Sequence, residues 1–73
     1  MSTTLHLKAN SRGSWANVMS FTPAQIHDVK EAAWVLCMAA DRTVSFKIAD
    51  DAGVTLHSLD ARQAPLVWQD RSA

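Results

Sequence analysis

The sequence predicts an α+β domain: an antiparallel sheet of about four strands with one helix packed on one face, in hairpin–helix–hairpin (ββαββ) order. Three observations carry this expectation. Alternating apolar and polar runs flank a central segment on both sides, a turn-forming cluster divides each flanking pair, and the central segment opens with four agreeing helix-start cues. The expected strands span about residues 4–9, 14–20, 43–49 and 54–59, and the helix about 23–40. Residues 60–73 follow as a C-terminal tail of one domain, 1–73.

Leu5-His6-Leu7-Lys8-Ala9 alternates as a half-buried strand does, and Asn10-Ser11-Arg12-Gly13 is a turn signal before the return strand Ser14–Ser20. If that loop holds an even number of residues, Leu7 pairs with Ala16 and Leu5 with Val18 on the core side. Lys8 then pairs with Trp15 and His6 with Asn17 on the outer side. An odd loop would turn Trp15 inward.

The helix start is written in Phe21-Thr22-Pro23-Ala24-Gln25-Ile26. Thr22 suits the N-cap, Pro23 the first helical position, Gln25 the return arm of a capping box, and Phe21 with Ile26 a hydrophobic staple. At helical spacing Ile26, Val29, Ala33, Leu36, Cys37 and Ala40 form the core stripe. Trp34 and Met38, in line with His27, add a second apolar ridge that something should cover. The tail is one cover, through Leu66-Val67-Trp68 as an edge strand or a segment laid on the helix; a second copy of the chain is the other. After the helix, Val44–Ile48 and Val54–His57 flank the turn Asp50-Asp51-Ala52-Gly53. Pairing Ile48 with Val54 and Phe46 with Leu56 sets Lys47 against Thr55 and Ser45 against His57 on the outer face.

Composition narrows the function classes. The chain has 73 residues, room for one core. Seven Lys+Arg balance seven Asp+Glu, so there is no broad basic field of the kind that drives non-specific nucleic-acid binding. The lone Cys37 makes no intrachain disulfide and fits a reducing compartment, so a cytoplasmic protein is expected. Residues 1–8 lack a signal-peptide core, and the longest apolar run, Ala32–Ala40, is too short to span a bilayer. No membrane partner is expected.

The search for chemistry points to no catalytic, cofactor or metal site. His27 and Glu31 make at most half a metal site, and no nucleophile elbow or phosphate loop is present. No family motif is matched residue by residue. In size and composition alone the chain resembles the very small regulators that phages encode to bind a host machine. The expected function is therefore a protein-binding regulatory module that docks on, and modulates or inhibits, a larger intracellular protein. Its contact residues are expected to be Trp15, Arg12, Lys8, Asn17, Lys47 and His57, because Trp and Arg dominate interface energetics. A nucleic-acid-associated regulator using the same face is the second expectation, and a homo-oligomer joined through His27, Trp34, Met38 and Trp68 the third.

Overall fold

The structure is a computed structural model and describes residues 4–70. Strands β1 (Leu5–Ser11) and β2 (Ser14–Phe21) precede a 3₁₀ turn (Pro23–Gln25) that leads into α1 (Ile26–Ala39). Strands β3 (Ser45–Ala49), β4 (Thr55–Leu59) and β5 (Gln69–Asp70) follow. All strand pairings are antiparallel, in the order β2-β1-β3-β4-β5. The α+β class is as expected, with five strands rather than four. The added strand is the tail's own: Gln69 and Asp70 pair with Ser58 and His57, just beyond Leu66-Val67-Trp68. The last three tail residues, like the first three of the chain, lie outside the described residues.

One face of the sheet supplies Leu5, Leu7, Phe21, Phe46, Ile48 and Leu59 to the core, and α1 supplies Val29, Ala33 and Cys37. Ala61 and Leu66 close it from the tail. The short side chains Ala33 and Cys37 are fully buried, so α1 approaches the sheet closely there. Leu36, expected on the core stripe, is instead 53% exposed. The reason is lateral placement: α1 lies over the middle of the sheet, and every residue of β2 except Phe21 stays exposed. Leu36 therefore faces Val18 and Met19 of that edge strand across a shallow apolar groove of about 300 Å³.

The helix start falls where the sequence puts it, and Gln25 reaches back to the Thr22 amide as the capping box requires. Gln25 Oε1 accepts the Thr22 backbone N–H at 3.0 Å and the Thr22 hydroxyl at 3.4 Å. The Gln25 N–H turns to the Thr22 carbonyl at 2.9 Å, so the first turn is 3₁₀. Gln25, more than the Thr22 hydroxyl, ties the cap. Gln25→Ala is expected to cost about 1 kcal/mol and Thr22→Ala less. Urea midpoints at unchanged slope would show this order.

Both hairpin registers differ from expectation. In the first, the turn is only Arg12-Gly13, with φ of 66° and 87°. Such two-residue turns with positive φ match strand twist. Asn10 Oδ1 accepts the Gly13 N–H at 3.0 Å. Ala9 then pairs with Ala16 and Lys8 with Asn17, and a bulge at Val18 brings Leu7 opposite Met19 and Leu5 opposite Phe21. That bulge lets Phe21 reach the core, which the expected pairing of Leu5 with Val18 did not. Because the loop is still even, Trp15 keeps the outer face.

In the second hairpin Phe46 pairs with Leu59, Lys47 with Ser58, Ile48 with His57 and, past a bulge, Ala49 with Thr55. Leu56 and Leu59 stand three apart, so a regular strand would send them to opposite faces. The bulge reconciles them: Leu59 is fully buried and Leu56 packs against the core. The consequence is that His57 turns to the helix side, away from the outer face where it was expected.

Candidate functional site

The outer face is built from strand register. Asn17, Lys8, Lys47, Ser58 and Gln69 form one row across all five strands, and Trp15, Asn10 and Ser45 form the row beside it. Neighbouring strands lie about 4.8 Å apart, so Trp15 on β2 and Lys47 on β3 are two strands apart. Even so, the Lys47 ammonium sits 4.4 Å from the centroid of the Trp15 ring. The indole must lie across β1 to meet it. Sequence reasoning paired Trp15 with Lys8; the structure gives the cation–π contact to Lys47 instead. Lys8 and Lys47 are direct cross-strand neighbours, and neither ammonium has an ion-pair partner among the described residues. Like charges so placed weaken a sheet slightly. Trp15 remains 43% exposed.

Of the expected contact residues, Trp15, Lys8, Asn17 and Lys47 thus share one surface, and Arg12 stands at the hairpin tip beside it. His57 does not belong. Its pKa is held below the ordinary 6.5, first by burial and then by the Lys30 ammonium, with Asp70 pulling weakly the other way. Its Nδ1 is buried without a hydrogen-bond partner among the described residues. The folded state favours neutral His57, so its contribution to stability is present above pH 6.5 and is lost as pH falls through the lowered folded value. Wild type is expected to lose stability as pH falls below 6.5, and His57→Phe is expected to flatten that part of the profile in urea melts.

At the other end of the outer face His6 is held, not loose. Its ring nitrogens meet Ser20 Oγ at 2.9 Å and Asp51 Oδ1 at 2.7 Å. Asp50 is turn chemistry, its Oδ1 accepting the Ala52 and Val54 N–H groups at 2.9 Å each.

The second candidate surface is partly internal. Trp34 Nε1 donates to the Leu66 carbonyl at 2.8 Å, and Trp68 Nε1 donates to the Lys30 carbonyl at 2.9 Å. The tail therefore covers part of the Trp34 side of the ridge, while Met38 and His27 stay exposed. Cys37 is fully buried, and burial pushes its thiol above the ordinary range, with Arg42 offsetting part of the rise. That disfavours the reactive thiolate. Among the described residues no group of three or more His, Cys, Asp and Glu is arranged to hold a metal ion, and no helix is long and apolar enough to cross a membrane.

One feature escaped the sequence reading. A cleft of about 770 Å³ opens at the end of the sheet where the β1–β2 turn, the exit of α1 and the turn after β4 converge. Arg12, Arg42 and Arg62 line it, and Trp15 reaches its rim. The chain matches no family model, no curated protein and no solved structure.

Proposed function

We propose that this domain is a protein-docking module that modulates or inhibits a larger cytoplasmic protein by occupying part of its surface with the outer face of the sheet. The observation that carries the reading is Trp15: a large, 43% exposed aromatic fixed under the Lys47 ammonium in a face otherwise made of polar side chains. Interfaces concentrate their energy in such anchors, surrounded by a polar rim. The adjacent Lys8 and Lys47 specify an acidic patch on the partner, because carboxylates there would relieve their mutual repulsion.

A nucleic-acid-associated role uses the same residues, with Trp15 as a stacking platform. Affinity capture from a lysate of the source cells separates the two. A discrete protein is expected to be retained by wild type, to survive nuclease treatment, and to be lost with Lys47→Glu. Phosphate contacts impose a steep salt slope between about 50 and 200 mM. Retention that vanishes over that range and on nuclease treatment would transfer the function to nucleic acid.

A further inference from the structure

The cleft at the sheet end collects three guanidiniums from three separate segments: Arg12 from the β1–β2 turn, Arg42 from the exit of α1, and Arg62 from the turn after β4. Neither Arg12 nor Arg62 has a side-chain partner among the described residues, and Arg42 Nη2 makes one long bond, 3.3 Å, to the Gln63 carbonyl. The carboxylate in the lining is Asp60, whose Oδ1 accepts the Arg62 backbone N–H at 2.9 Å. Three positive charges against one negative leave the cleft with a net charge of +2.

The backbone gives a second, independent reason to assign this cleft a role. Arg12 has φ of 66° and Arg42 has φ of 60°, both in the left-handed region. A side chain with a Cβ is disfavoured there. Two-residue hairpin turns favour Asn or Gly at the first turn position, and helix exits favour Gly or Asn. Arginine serves neither local structure. Yet at two separate turns the chain carries arginine in this conformation, and both line the same cleft. Such outliers are where function is sought, and of the three non-glycine residues with positive φ among the described residues only Asp41 stands outside the cleft lining.

From this geometry we infer that the cleft is a binding site for the phosphoryl groups of a small phosphorylated ligand. The guanidinium fork matches phosphate oxygens two at a time, and the net positive charge attracts an anion. A volume of about 770 Å³ accommodates a molecule of nucleotide size. Trp15 at the rim offers a surface for the ligand's organic part. The site is distinct from the docking face in its charged residues, so either can fail without the other.

The test is equilibrium titration of the full chain with pyrophosphate, with ADP, with adenosine and with a single-stranded oligonucleotide, followed by tryptophan fluorescence and calorimetry. Arg12→Asn and Arg42→Gly are the variants of choice, because each relieves the left-handed backbone and should leave the thermal midpoint unchanged or raised. Saturable binding of pyrophosphate or ADP, weakened at least tenfold by each variant, is the expected result. Equal affinity for the two would assign recognition to the phosphoryl groups alone, and tighter binding of ADP would add the rim at Trp15. Adenosine binding as tightly as ADP, affinities unmoved in the stable variants, or saturation by neither phosphate ligand would overturn the inference. Binding of a single-stranded oligonucleotide in place of both small ligands would overturn it in favour of a nucleic-acid surface.

Discussion

Deleting residues 64–73 is expected to unfold the domain rather than trim it. The segment carries Leu66, only 6% exposed in the core, and Trp68, which packs against the core from its edge. Truncating one buried leucine to alanine costs about 2–5 kcal/mol. The deletion also removes the Leu66 carbonyl from Trp34 Nε1 and the Trp68 indole from the Lys30 carbonyl. It strips β4 of its outer neighbour as well. Small domains hold only about 5–15 kcal/mol in total. Far-ultraviolet circular dichroism of the truncated chain should show loss of cooperative melting at room temperature. A cooperative transition with the wild-type midpoint would mean that the tail contributes nothing to the core.

Trp15→Ala is expected to have its large effect on binding. An anchor of this kind typically loses about 2 kcal/mol or more on truncation, roughly thirtyfold in Kd. Its role in the fold is smaller. Trp15 stands on the face away from α1, and its named partner is the Lys47 ammonium, a contact of about 0.5–1 kcal/mol at an exposed site. Trp15→Phe should retain part of the affinity, because a ring remains to meet the lysine and the partner. Measured on the captured protein, the order wild type, Trp15→Phe, Trp15→Ala is the expected ranking of affinity.

The class of fold was legible because its cues are local: alternation in both hairpins and a capped helix start between them. Faces were harder, because they depend on counting through bulges. Val18 adds one residue to β2 and Leu56 one to β4, and nothing in either run announces it. In the first hairpin an even loop preserved the outer placement of Trp15 and Asn17. In the second, the need to bury both Leu56 and Leu59 carried His57 inward. The exposure of Leu36 was likewise invisible, since helical spacing gives a stripe and not the lateral position of the helix on its sheet.

The arginine cleft was readable in principle. Strands and helix alternate in direction, so the turns near residues 12, 42 and 60 all fall at one end of the molecule. Each carries an arginine. Reading net charge over the whole chain hid this, because the balancing Asp50 and Asp51 lie in the β3–β4 turn at the opposite end.

The thermal melt of Trp15→Ala asks whether this side chain belongs to the core or is available for recognition. A cooperative melt is expected, with a loss of about 1 kcal/mol from the cation–π contact and cross-strand packing. A loss of about 3–5 kcal/mol, the cost of truncating a buried tryptophan, would contradict it and remove Trp15 and its face as the docking surface.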